Sequence, residues 1–206
     1  MGLQKIPLSK EAIMKKFLSL FLCLILLLSA VTLFTACDVY DDRDRDDDDD
    51  DKKKTTTTTK LDIPDGYELY SDGKISFAYP EDWENQGGSL VMFRDPDTTN
   101  NINVVYEDKT SVYDSLTADE FEEAMNEVYE SMGMSISNVS VATKKTNGLS
   151  VRVFSFKTTV ASTSAVMRQT QYVTTIDNRT YTVTVTELVS DADLADTVFE
   201  TLSAAK

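Results

Sequence analysis

The strongest alternation in the chain runs over residues 180–188, where Tyr181, Val183 and Val185 are interleaved with Thr182, Thr184 and Thr186. A period of two belongs to a β-strand, whose successive side chains point to opposite faces. The segment is therefore predicted to bury its apolar face and leave the threonine face wet. Three further β-rich runs precede it, at 136–146, 149–160 and 165–176, with Asn147-Gly148 and Asp177-Asn178 as turn pairs between strands. Upstream, runs at 67–70 and 74–79 flank Asp72-Gly73, a pair that tolerates the positive φ of a tight hairpin. The second of these runs places Ile75, Phe77 and Tyr79 on one face, and shorter strands are predicted at 90–94 and 102–106.

Two segments change to the helical period. Thr117 and Glu120 form a capping box, and Phe121, Ala124, Met125, Val128, Tyr129 and Met132 recur at helical spacing until Gly133 stops the run. This aromatic and methionine stripe is the pattern of a core-facing helix. A second helix is predicted from about Ser190, with Leu194, Val198 and Leu202 on one stripe. Each helix has a single apolar face to bury against an antiparallel sheet of about six to seven strands, which makes the fold class α+β.

The N-terminal pattern is different. Lys15 and Lys16 precede a nearly unbroken apolar run over 17–33, followed by Thr35 and Ala36 just before Cys37. This is the form of a secretory signal peptide over 1–36, and Met14 with Lys15 and Lys16 offers an alternative start. The stretch Leu33-Phe34-Thr35-Ala36-Cys37 resembles a bacterial lipobox, which implies diacylglyceryl attachment to Cys37 and cleavage before it. Phe34 departs from the aliphatic residue usual at that position. Three other outcomes stay open: a Cys there by chance; ordinary signal cleavage, which bulky Phe34 opposes; and retention of the leader as an anchor, for which the apolar run is slightly short of ~20 residues.

Between Cys37 and Lys60 the chain holds six aspartates at 46–51, three lysines at 52–54 and five threonines at 55–59. No core can form from such a segment, so 37–60 is expected to be a disordered tether. Fully stretched it spans about 80 Å, and as a coil roughly 25–30 Å, with charge repulsion favouring the longer figure. The globular domain is assigned to 61–206.

Composition narrows the chemistry. Net charge is −15 over 206 residues; the leader is basic, so the mature chain carries −18, and 61–206 alone sets ten Lys and Arg against 24 Asp and Glu. Such a surface excludes nucleic acid as a partner and is repelled by anionic headgroups. There is no histidine, and the two cysteines are Cys23 and Cys37. Ser-His-Asp and Cys-His nucleophiles, His-ligated metals and disulfides within the domain are thereby excluded.

Ile75-Ser76-Phe77-Ala78-Tyr79-Pro80-Glu81-Asp82-Trp83, then Val91-Met92-Phe93-Arg94-Asp95-Pro96, then Asn101-Ile102-Asn103-Val104-Val105 follow one another in a recognisable order. Together they resemble the start of a PsbP-like domain: a strand ending in Tyr-Pro-x-x-Trp, a hairpin with Phe-x-Asp-Pro, and an Asn-x-Asn-Val strand. The resemblance implies an αβα sandwich. It also implies mostly non-enzymatic work, as in the photosystem II extrinsic subunit, a Ran-binding nuclear-import factor of similar fold, and many bacterial lipoproteins. No contact residue of those proteins maps onto this sequence.

Local motifs add little catalysis. Ser71-Asp72-Gly73-Lys74 spells S-x-x-K, but that acylating motif needs its Ser and Lys one helical turn apart, whereas these residues form a hairpin turn. Asp95, Asp97, Asn100 and Asn103 make an oxygen-rich loop, a weak calcium candidate against ordinary turn chemistry. No cofactor and no catalytic residue is expected. The expected function is a lipid-anchored extracytoplasmic domain on the outer face of a bacterial cell membrane, non-catalytic, that binds an envelope protein, a wall component or a small ligand. The alternative is a carboxylate-based or metal-dependent hydrolase acting on cell-wall or extracellular polymer.

Overall fold

The computed structural model of the chain describes residues 61–86, 91–189 and 193–205. The expected leader, Cys37, the 37–60 tether, the start of the 90–94 strand and the start of the second helix near Ser190 lie outside the described residues.

Among the described residues ten strands and two α-helices follow in the order β1 (Tyr67–Ser71), β2 (Ile75–Pro80), β3 (Glu84–Asn85), β4 (Val91–Arg94), β5 (Asn101–Asp108), α1 (Ala118–Ser131), β6 (Met134–Thr146), β7 (Leu149–Val160), β8 (Val166–Ile176), β9 (Arg179–Leu188), α2 (Leu194–Thr201) and β10 (Ser203–Ala204). The main sheet has seven strands in the order β3-β4-β5-β9-β8-β7-β6, and β1, β2 and β10 form a separate three-stranded sheet. All pairings are antiparallel. The chain leaves β5, crosses the main sheet as α1, enters the far edge as β6, and returns by hairpins until β9 pairs β5.

Residues in register across neighbouring strands share a face. One row, Val104, Val183, Tyr172 and Val153, lies on the face covered by the small sheet and α2, where Ile75, Phe77, Val198 and Leu202 complete the core. Trp83 packs half-buried at the edge of this core, one turn after Pro80 ends β2. The next row, Asn103, Thr184, Gln171 and Phe154, lies on the opposite face, where α1 buries Phe121, Met125 and Tyr129 against Phe154 and Phe156. The fold is thus the α+β sandwich expected, with the first hairpin placed in its own small sheet rather than in the main one.

Local signals explain both ends of α1. Thr117 Oγ1 accepts the Glu120 N–H while the Glu120 carboxylate accepts the Thr117 N–H at 2.9 Å, closing the predicted capping box. At the other end Gly133 takes φ +70, a conformation that side-chain-bearing residues rarely adopt, and turns the chain into β6. The loop before α1 is pinned by Arg152, which donates to the carbonyls of Tyr113 and Leu116 and to Thr143 Oγ1.

One expectation is overturned. The threonine face of β9 is not wet: Thr182, Thr184 and Thr186 are 2%, 3% and 5% exposed. Thr186 lies beside Gln169 and Tyr129, so β9 has polar side chains on one buried side and apolar ones on the other.

Candidate ligand-binding cleft

The two rows of the α1 face change character along their length. On β7 they carry Phe154, which stacks on Phe121, and Phe156, which meets Tyr129 edge-on, both under the helix. Across β8, β9 and β5 they become Gln169 and Gln171, Thr184 and Thr186, Asn101 and Asn103. The helix sits over the aromatic half. Beside it, over the polar half, a cleft of about 310 Å³ opens, at the low end of the sizes that hold small molecules.

Three elements shape the cleft. Tyr129 and Met134 come from the end of α1 and the start of β6. Val160, Thr163 and Ala165 come from the end of β7 and the β7–β8 turn, and Met92, Thr99 and Asn101 from β4, the loop before β5 and the first residue of β5. The first two walls are fastened together, because the Ala161 N–H donates to the Gly133 carbonyl at 2.9 Å. Asn103, Gln169 and Thr186 supply polar groups from the sheet, with Met167 and Leu188 beside them. Every lining residue is neutral.

Two of the three lining carboxamides are engaged within the chain. Gln169 accepts the Tyr129 hydroxyl at 2.5 Å and donates to Thr186 Oγ1 at 3.3 Å. Burial pushes the Tyr129 hydroxyl far above the ordinary phenol range, outweighing the opposing effect of Gln169, so it is a permanent O–H donor. Asn101 Nδ2 donates to the Thr99 carbonyl at 3.0 Å. The third, Asn103, is only 3% exposed, and its carboxamide makes no hydrogen bond among the described residues.

Asn103 belonged to the oxygen-rich set expected from sequence, and the structure divides that set. Asp95, Asp97 and Asn100 lie in the β4–β5 loop, where Asp95 accepts the Asp97 N–H and the Thr98 hydroxyl, and Asn100 Oδ1 accepts the Leu188 N–H. Burial raises the Asp95 carboxyl, but these hydrogen bonds outweigh it and hold the group below its usual value. Asn103 is inside β5 and lines the cleft instead. Ser71 and Lys74 sit in the β1–β2 turn, with Lys74 paired to Asp177 at 2.7 Å. Tyr129, Gln169 and Thr186 were not singled out from sequence. Tyr129 was indistinguishable from the core stripe of its helix, whereas Gln169 and Gln171 sit on one face of a strand otherwise rich in β-branched residues and were the available signal.

The buried carboxylate Glu187 lies on the opposite face, 1% exposed, with Arg168 Nε 2.7 Å from its Oε1. Burial raises its pKa above the ordinary value, against the lowering effects of Arg168 and of the Ala195 N–H at the start of α2. An acid whose folded pKa is raised contributes stability below its unfolded pKa, near 4.5, and that contribution is lost as pH rises through the folded value. In denaturant titrations from pH 4 to 7, Glu187→Gln should therefore gain stability relative to wild type as pH rises. A variant that instead loses ground toward pH 7 would show that the ion pair with Arg168 outweighs the burial cost.

No curated protein sequence matches the chain. Among solved structures, a protein of Bacteroides thetaiotaomicron, whose crystal structure was determined at 1.50 Å, aligns with 20% identity and a TM-score of 0.43 over 64% of this chain. The chain spans 45% of the length of that protein. LpqN of Mycobacterium tuberculosis, described as involved in cell envelope biogenesis, aligns with 14% identity and a TM-score of 0.37, covering 71% of this chain and 82% of LpqN. The PsbP family model matches residues 65–203, from just before β1 into β10, and the chain belongs to the PsbP family.

Proposed function

We propose that this chain is a non-catalytic binding protein, held on the outer face of a bacterial cell membrane by lipid on Cys37, whose PsbP domain captures a small uncharged ligand in the cleft beside α1. The observation that carries the reading is the lining itself. Its thirteen residues include no acid, base or thiol, so the site is built for contact and hydrogen bonding. The carboxylate pair that glycoside hydrolysis requires is not found in this lining. The leader, Cys37 and the acidic tether supply the address in this reading.

Methyl NMR on the mature, lipidated chain in nanodiscs tests it. Met92, Met134 and Met167 line the cleft, and Met125, on the buried face of α1, serves as an internal reference. In a screen of small molecules, uncharged compounds should shift the three cleft methyls and leave Met125 nearly unmoved, while carboxylates of matching shape should not. A broad screen in which no compound perturbs these methyls selectively would overturn the proposal.

A further inference from the structure

We propose that the cleft selects an amide: an uncharged molecule with apolar flanks whose amide group pairs with the carboxamide of Asn103. The inference rests on the cleft being a ligand site, and it names what the site discriminates.

A carboxamide offers an N–H donor and a carbonyl acceptor side by side. At Asn103, which is 3% exposed and lines the cleft, neither has a partner among the described residues. A nearly buried polar group that the chain leaves unpaired at a cleft wall is open to a partner that enters the cleft. Its neighbours in the same row, Thr184 and Gln171, are 3% and 6% exposed, and their side chains also make no hydrogen bond among the described residues. This row thus offers the cleft polar side chains that the chain itself leaves unpaired among the described residues, whereas Gln169 and Asn101 are already committed.

Candidate ligands differ in how they meet a lone carboxamide. An amide matches both its donor and its acceptor in one two-point contact. An alcohol satisfies one of them at a time. A carboxylate brings acceptors only, leaves the Asn103 carbonyl unmatched, and carries charge into a neutral cleft on an acidic domain. A hydroxyl-rich sugar would bury more polar groups than the methionine, valine and leucine walls can satisfy. Those walls suit apolar groups of varied shape, since unbranched, polarizable Met side chains adapt to what they contact.

The test compares N-acetyl-leucinamide with the ester analogue of the same shape, which lacks the N–H donors, using the lipidated chain in nanodiscs and the Met methyl shifts. The amide should bind at least about tenfold more tightly than the ester, the factor set by one hydrogen bond whose loss strands a buried partner. In Asn103→Leu the two compounds should bind alike, with no fall in Tm, because the substitution removes an unpaired amide. If Asn103→Leu does not fold, Asn103→Ser supplies the same comparison. Equal binding of amide and ester to wild type overturns the inference while leaving the cleft as a binding site. Equal discrimination by wild type and variant also overturns it. Failure of both compounds to move any cleft methyl overturns it together with the reading on which it rests.

Discussion

Phe154→Ala should lower the unfolding free energy by about 3–5 kcal/mol, the range for removing a fully buried phenylalanine that leaves a cavity. Phe154 has no exposed surface, stacks on Phe121 at 4.7 Å and meets Tyr113 edge-on at 6.3 Å. It also lies under the Arg152 guanidinium, 5.9 Å from its ring centre. Three attachments of the α1 layer thus converge on one ring: the helix, the loop before it and the arginine that pins that loop. For a domain near 150 residues each kcal/mol moves Tm by about 2–4 °C, so a fall of roughly 10 °C is expected. Tyr106→Ala is the control, because Tyr106 is 58% exposed and contacts only the Arg179 guanidinium, 4.6 Å from its ring centre, and the edge of the core at Tyr181, 5.7 Å away, among the ring contacts of the described residues. Loss of an exposed cation–π contact costs about 0.5–1 kcal/mol. If the two variants lose similar stability in denaturant melts, α1 is not seated on Phe154 as described. Because Tyr129 is on the same helix, Phe154→Ala should also blunt the cleft methyl shifts, whereas Tyr106→Ala should not.

The elements of the sandwich were legible because each is announced locally. Thr117 with Glu120 marks the start of α1, Gly133 its end, and Asn147-Gly148 and Asp177-Asn178 mark two of the hairpins. Residues that take their meaning from distant partners were harder to place. The alternation in β9 shows that its two faces differ, but not what covers each. Threonine is the residue of a wet face and equally of a buried, hydrogen-bonding one. The choice depends on the route of the chain from β5 over the sheet to β6, which no window of sequence contains. The same non-locality split the oxygen-rich set: Asp95 and Asp97 act within their own turn, whereas Asn103 acquires its role from Met92, Thr186 and Met167 across the sheet and its edges. β10 escaped notice for a simpler reason. Two residues carry no period, and Ser203 and Ala204 become a strand only because β2 offers them an edge.

Cys37→Ser should stop processing almost completely, so that the chain accumulates as a precursor still carrying residues 1–36. In the proposed pathway the diacylglyceryl group is attached to the Cys37 sulfur before cleavage, and a serine oxygen does not replace that thiolate. Wild type should yield an N-terminal Cys37 bearing the lipid mass. Intact-mass measurement separates the alternatives: a retained anchor predicts that both chains keep the leader, and ordinary cleavage predicts an unmodified thiol in wild type. The companion experiment exports residues 38–206 behind an unrelated cleavable leader, and this chain should be recovered free of the membrane. Each buried CH₂ of an acyl chain contributes about 0.8 kcal/mol to anchoring, so two chains hold firmly where one is marginal. Ten aspartates in the tether face six Lys and Arg, and the domain adds ten Lys and Arg against 24 acids. Anionic headgroups therefore repel the protein instead of retaining it. Among the described residues no helix is long and apolar enough to cross a bilayer. Membrane retention of the 38–206 chain would point to a bound membrane partner, and would make that partner, rather than Cys37, the principal attachment.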